Sequence, residues 1–75
     1  MDEIDAIAFL LERGYGLDQY DILMTYRSDV YNEVNGISHP FLVNWGTYPD
    51  DTEKAFQTAR EAAKYFVEKR KELQL

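Results

Sequence analysis

Carboxylates are the side chains of this 75-residue chain with the most obvious potential for chemistry. They occur in three close groups along the sequence, namely Asp2, Glu3 and Asp5, then Asp18 and Asp21, then Asp50 and Asp51. Two neighbouring carboxylates can act as a general acid and a general base. However, each group stands where a helix is expected to begin, and acidic side chains there cap the helix and interact with its dipole. Because capping explains all three groups, we predict no catalytic residue and no enzymatic activity.

The sequence offers little for metal or cofactor binding. It contains no cysteine, which excludes disulfides, thiolate metal sites and cysteine nucleophiles. His39 is the only histidine, and neither Ser28 nor Ser38 has the sequence context of a nucleophile. The Gly14-Tyr15-Gly16 turn lacks the third glycine and the lysine that phosphate-binding loops need. We therefore expect no metal site and no cofactor.

Aromatic residues are the remaining candidates, and they suggest binding to another protein. Six tyrosines and one tryptophan are more than so small a core can readily hide. Tyrosine and tryptophan are enriched at protein interfaces, because they offer a large contact area with few rotatable bonds. The predicted partner contacts are Tyr26, Tyr31, Trp45 and Tyr48.

The net charge of -6 is concentrated in one half of the sequence. Residues 1–49 contain eight acidic residues and only two basic ones, Arg13 and Arg27, whereas acids and bases cancel from Asp50 onward. An acidic surface attracts basic partners and repels nucleic acid. We therefore predict a non-enzymatic protein-protein interaction module with a basic protein partner.

Two other functions stay open at this stage. The acids of residues 1–33 could imitate the phosphates of DNA, which would make the protein an acidic inhibitor of a nucleic-acid-binding protein. The basic end of the last predicted helix, with Lys64 and Lys69-Arg70-Lys71, could instead bind nucleic acid directly. The overall charge argues against this direct binding.

The first element that positions these residues is a helix predicted over residues 3–13. Its apolar residues Ile4, Ile7, Ala8 and Leu11 follow the spacing of one helix face. Asp2 is placed to cap the first turn, and Gly14 suits the left-handed residue that ends a helix.

Residues 18–36 fit two patterns. Strand-like alternation appears at Tyr20, Ile22, Met24 and Tyr26, whereas a helical spacing connects other apolar residues of the same stretch. Asp18 can cap a helix here and Asn35-Gly36 can end one, so we predict a helix. One form of this prediction is two short helices with a break near Met24-Thr25. A strand stays open as the alternative.

The run from Phe9 to Thr25, FLLERGYGLDQYDILMT, combines a Leu-Leu helix, a Gly-Tyr turn and an acidic segment that leads to Met-Thr. With the continuation to residue 34, it resembles helical segments of small phage-encoded proteins, notably tail assembly chaperone-like ones. The resemblance implies a helical protein encoded by a phage or another mobile element.

Phe41 to Trp45 reads as a short extended segment, part of an extended stretch at about residues 40–46. Phe41, Val43 and Trp45 would share one of its faces. A single strand cannot satisfy its own backbone, so it needs a partner. That partner is either residues 20–26, which would give an α+β fold, or the same segment of a second copy, which would give a homodimer.

The last predicted helix begins at Asp50 or Asp51 and ends near Leu73. Acids crowd its first turn and bases its last, as the helix dipole favours. Four alanines would leave a smooth face on which another backbone can approach closely, namely Ala55, Ala59, Ala62 and Ala63.

These elements predict a single domain over residues 1–75. We expect a mostly α fold of three to four helices with one short extended segment at about 40–46. The alternative is an α+β fold with a small antiparallel sheet packed on the long C-terminal helix. No apolar run approaches the roughly 20 residues of a membrane span, and the acidic Met1-Asp2-Glu3 start is unlike a signal peptide, so we expect a cytoplasmic protein.

Overall fold

A computed structural model describes residues 2–19, 23–27, 39–47 and 49–73. In chain order they form helix α1 (Glu3–Glu12), strands β1 (Leu17–Gln19), β2 (Leu23–Arg27), β3 (Phe41–Trp45) and β4 (Thr52–Phe56), and helix α2 (Ala59–Leu73). The four strands form one antiparallel sheet in the order β1-β2-β3-β4. Both helices pack against each other and against the same face of this sheet.

Helix α1 follows the prediction closely. The side chain of Asp2 accepts a hydrogen bond from the backbone N–H of Asp5 at 2.8 Å, which satisfies one of the unpaired amides of the first turn. The chain leaves the helix at Gly14, whose φ of 86° lies in the left-handed region. The predicted cap and the predicted helix end are both confirmed.

The helix predicted for residues 18–36 is wrong wherever the structure describes that stretch. Asp18 and Gln19 belong to β1, and Leu23–Arg27 forms β2. The alternation of buried and exposed residues fits a strand: Leu23 and Thr25 are buried under the helices, while Met24 between them points the other way. Pairing with β3 stabilises the strand and outweighs the local helix signals.

Strand β3 is the extended segment expected at residues 40–46, and its backbone partners lie in the same chain. Val43 stands opposite Thr25 of β2 on one side and opposite Lys54 of β4 on the other. Phe41, Val43 and Trp45 share one face, as predicted, and this face lies toward the helices. The expectation of a mostly helical fold is therefore wrong. The fold is α+β, the class that the sequence had left as the alternative.

The C-terminal helix is shorter than predicted. Residues 52–56 form β4, so Ala55 lies in a strand, and α2 begins only at Ala59. Thr58 caps α2: its hydroxyl accepts a hydrogen bond from the N–H of Glu61 at 3.2 Å and donates one to the Glu61 carboxylate at 2.9 Å. Asp51, predicted as a cap, instead lies in the turn between β3 and β4. Its carboxylate accepts a hydrogen bond at 2.8 Å from the side-chain amide of Asn44 in β3.

The core lies between the sheet and the helix pair. Its largest fully buried apolar side chains are Leu11 of α1, Val43 of β3 and Phe66 of α2. The alanines Ala59, Ala62 and Ala63 are buried and allow α2 to approach its neighbours closely. The smooth alanine face therefore packs against other elements of the same chain. Two ion pairs join the helices at the surface, Arg60 with Asp5 and Arg70 with Glu3.

The pair formed by Thr25 and Val43 at the centre of the sheet yields a stability prediction. Both side chains are completely buried and directly opposite each other, and the Thr25 hydroxyl has no hydrogen-bond partner among the described residues. Thr25→Val removes an unsatisfied polar group without changing the shape, so we expect the free energy of unfolding to rise by roughly 1 kcal/mol. Val43→Thr buries a second hydroxyl, and we expect a loss of about 1–3 kcal/mol.

Urea denaturation of both variants and the wild-type protein measures these two effects. Thermal unfolding followed by circular dichroism provides an independent check. Equal effects of the same sign at both positions would contradict the packing described for this pair.

Candidate protein-binding surface

The sheet has a second face, on which none of the described helices packs. Strand register assigns two rows of side chains to it. We call these residues the open face: Asp18, Met24, Asn44 and Glu53 in one row, and Tyr26, Leu42 and Ala55 in the next.

The open face has an apolar centre. Met24 exposes 41% of its surface, and Ala55 of β4 is also exposed. Leu42 and Tyr26 are half-buried and complete a continuous apolar strip across β2, β3 and β4. Exposed apolar side chains that adjoin one another are a common mark of binding surfaces.

Charges of one sign border this apolar centre. Asp18 and Glu53 stand at opposite ends of their row, about 14 Å apart, as expected for three strand spacings. All eight Lys and Arg residues of the sequence lie in the part of the chain that the structure describes, and none of them is on the open face. Arg27 and Lys54, the only basic residues in the strands, have the register positions that face the helices. The surface is therefore apolar and acidic.

Tyr26 is held in a fixed position on this surface. Its hydroxyl donates a hydrogen bond at 3.0 Å to the carboxylate of Glu53, so the side chain reaches from β2 across β3 to β4. Burial of the phenol raises the pKa of Tyr26, and the hydrogen bond and the negative charge of Glu53 raise it further. The phenol is therefore neutral at physiological pH, and its hydrogen bond to Glu53 favours one position of the ring.

The structure does not bring the four predicted contact residues together. Tyr26 lies on the open face. Trp45 lies on the opposite face, half-buried, where its indole N–H donates a hydrogen bond at 3.0 Å to the hydroxyl of Tyr65. Tyr31 and Tyr48 lie outside the described residues. Tyr26 and Trp45 therefore cannot contribute to one contact surface.

Trp45 belongs to a cluster of aromatic rings and lysines between the sheet and α2. The ring centroids of Phe56 and Tyr65 are 5.2 Å apart. The ammonium group of Lys69 lies 4.7 Å from the centroid of the Trp45 ring, and that of Lys54 lies 5.1 Å from the centroid of Tyr65. Such cation–π contacts contribute about 0.5–1 kcal/mol each at exposed sites. We assign this cluster to the packing of α2 on the sheet.

Ion pairs also occupy the basic end of α2. Lys69 donates a hydrogen bond at 2.7 Å to the carboxylate of Glu72, which raises the pKa of Lys69. Arg70 pairs with Glu3 of α1. Two of the four basic groups suggested for nucleic-acid contacts are thus engaged within the chain.

The sequence did not single out Met24, Leu42, Glu53 or Asp18 as contact residues. For Met24, a signal existed in the alternation of residues 20–26, which predicts that Met24 and Tyr26 share a strand face. For Leu42 and Glu53, the face becomes known only from the register of β3 with its two neighbours. The open face is a product of pairing between distant segments.

The described residues provide no alternative site of known type. No group of three or more His, Asp or Glu side chains among them is close enough to hold a metal ion. No helix in the described ranges is long and apolar enough to cross a membrane. No family model, curated protein or solved structure matches the chain significantly. The resemblance of residues 9–34 to phage tail assembly chaperone-like proteins therefore stays a prediction.

The raised pKa of Tyr26 leads to a prediction about stability at alkaline pH. A phenol with a higher pKa in the folded protein stabilises the fold below its ordinary pKa of about 10, and this contribution is lost as the pH rises through the folded-state value. Urea denaturation should therefore show a steeper loss of stability above pH 10 for the wild-type protein than for Tyr26→Phe.

Substitution of Glu53 separates the causes of this shift. Because burial is the largest cause, Glu53→Gln should lower the pKa of Tyr26 only part of the way toward its ordinary value. Nuclear magnetic resonance (NMR) titration of ¹³C-labelled tyrosine rings measures this pKa directly. A pKa of Tyr26 at or below the ordinary value of a tyrosine would contradict the described environment.

Proposed function

We propose that this protein is a non-enzymatic protein-protein interaction module and that its open face binds a basic protein. The observation that carries the proposal is the composition of this face: a continuous apolar strip bordered by carboxylates, with every lysine and arginine located elsewhere. A surface of this kind favours a partner that combines apolar side chains with positive charge.

The two properties of the face contribute differently to binding. Met24, Leu42 and the ring of Tyr26 supply apolar area, and each Å² that becomes buried contributes roughly 25 cal/mol. Asp18 and Glu53 at the ends of the strip contribute mainly to the rate of encounter and to the choice of partner. Because Glu53 also orients Tyr26, it connects the charged border with the apolar centre.

A foreign partner is favoured over a second copy of the same chain. Pairing of residues 41–45 with their own copy is closed, because β2 and β4 already occupy both edges of β3. Face-to-face packing of two open faces would bring the carboxylates of both copies together without a base between them. Such like-charge contacts cost several kcal/mol.

The two other functions considered from the sequence gain no support. Glu3 and Asp5 pair with Arg70 and Arg60 on the helix layer, whereas Asp18 stands on the sheet. These acids therefore do not form one phosphate-like row. The engagement of Lys69 and Arg70 likewise weakens the case for nucleic-acid binding, so we propose neither function.

Selection from a library of random peptides displayed on phage tests the proposal, because it requires no knowledge of the natural partner. Enriched peptides should carry net positive charge and apolar residues. Their affinity for the immobilised protein should fall when the ionic strength rises from about 0.05 to about 0.5 M, since exposed charges are then screened.

Two variants locate the binding surface. Met24→Lys adds a positive charge to the open face and should abolish binding of the enriched peptides. Phe9→Lys provides the matched control, because Phe9 has a similar exposure, 43% against 41%, but lies on α1. Enriched peptides without positive charge, or peptides that bind Met24→Lys as well as the wild-type protein, would refute the proposal.

A further inference from the structure

Strand β4 forms one edge of the sheet. β3 pairs with one side of it, and no described residue pairs with its other side. The outward backbone N–H and C=O groups of residues 52–56 therefore have no backbone partner in the described part of the chain. Such groups can pair with an extended segment of another chain. The opposite edge, β1, has only three residues, so β4 with five is the longer edge.

This edge is accessible from both faces of the sheet. Thr52, Glu53, Lys54 and Ala55 are exposed, and only Phe56 at the end of the strand is half-buried, where its ring contacts Tyr65 of α2. The helices therefore leave most of β4 uncovered. A further strand has room to lie beside it.

Two neighbouring residues of β4 carry opposite charges toward opposite faces. Glu53 lies on the open face, and Lys54 has the register position that faces the helices. The ammonium group of Lys54 lies 5.1 Å from the ring centroid of Tyr65 and 5.8 Å from that of Phe56, and it has no carboxylate partner among the described residues. A charge that points inward on an edge strand disfavours pairing with an apolar strand. Lys54 therefore selects for a strand with an acidic residue at the facing position.

We propose that β4 accepts, as a fifth antiparallel strand, an extended segment of another protein in which an acidic residue is directly followed by a basic one. Antiparallel pairing continues the pattern of the whole sheet. Side chains directly opposite each other then share a face, so the acid lies beside Lys54 and the base beside Glu53. The inference goes beyond the proposed function of the open face, because the backbone edge of β4 makes the contact.

The charges of β4 disfavour a second copy of the same strand as its neighbour. Symmetric antiparallel pairing centred on Glu53 or on Lys54 places that residue opposite its own copy, and like charges in this position are destabilising. Pairing centred on Ala55 avoids this contact, but only residues 54–56 of each strand are then paired. A foreign segment can match both charges along the whole strand.

Two peptides of identical composition test the proposal, acetyl-IVEKT-amide and acetyl-IVKET-amide. In antiparallel register, the first places its acid opposite Lys54 and its base opposite Glu53, whereas the second places like charges opposite both residues. Each peptide is titrated into the ¹⁵N-labelled protein, and amide shifts are followed by NMR. IVEKT should bind at least about fivefold more tightly, because two favourable cross-strand charge pairs replace two unfavourable ones.

Hydrogen exchange identifies strand addition as the mode of binding. Along an edge strand, only every second N–H points outward. Saturation with IVEKT should therefore slow the exchange of alternate amides in residues 52–56.

Two variants separate this site from the open face. The double variant Glu53→Lys with Lys54→Glu exchanges the two charges and should reverse the preference, so that IVKET binds more tightly than IVEKT. Binding of IVKET also shows that this variant is folded. Met24→Lys is the control: Met24 lies on the open face two strands away, so the wild-type preference for IVEKT should persist. Loss of IVEKT binding in Met24→Lys would place the peptide on the open face and overturn the strand addition.

Other results would also overturn the proposal. These are the absence of saturable shifts in β4, equal or tighter binding of IVKET to the wild-type protein, and saturable shifts without alternating protection of the β4 amides. Protection of these amides that rises with protein concentration in the absence of peptide would assign the edge to a second copy instead.

Discussion

Strand β3 has a neighbour on each side, and the other parts of the fold depend on this double pairing. β2 and β4 each contribute five paired positions to it, so its backbone is satisfied along its whole length. Val43 at its centre is completely buried, which stabilises the fold by about 1.5–3 kcal/mol. The same pairing sets the register of the sheet. That register decides which residues face the helices and which face outward.

The two faces of the sheet consequently differ in the side chains that they carry. The face toward α1 and α2 carries the core, together with Arg27 and Lys54 at its periphery. The opposite face carries the apolar strip and the carboxylates of Asp18 and Glu53. Because the basic residues of the strands lie on the helix side, the charges on the open face are all negative. In the interaction that we propose, specificity follows from the layer to which each charge is assigned, more than from the net charge of the chain.

Local signals in the sequence predicted some elements well and others poorly. Helix α1 was predictable because its apolar spacing and its cap at Asp2 lie within a few residues of each other. Strand β4 was missed because Glu53, Lys54 and Ala55 favour helices and Asp50 and Asp51 resemble a helix cap. The sequence nevertheless contains a signal for the true start of α2. Thr58 is followed three residues later by Glu61, which is the pattern of a capping box.

The candidate site could be predicted only in part, for a related physical reason. Tyr26 was expected as a contact because of its residue type, whereas Trp45 has the same type of side chain but faces the core. The difference between them arises from the pleat of paired strands, and a one-residue change in register would reverse it. Contact residues on a sheet therefore require the register of several strands, which depends on segments far apart in the sequence.

The central claim is that the open face carries a more negative potential than the helix side of the molecule. Paramagnetic relaxation by soluble cationic and anionic nitroxides measures this potential at individual protons. The ratio of cationic to anionic enhancement should be clearly larger at the Met24 methyl group than at the ring of Phe9, which is similarly exposed. A ratio at Met24 that is equal to or smaller than the ratio at Phe9 would contradict the account.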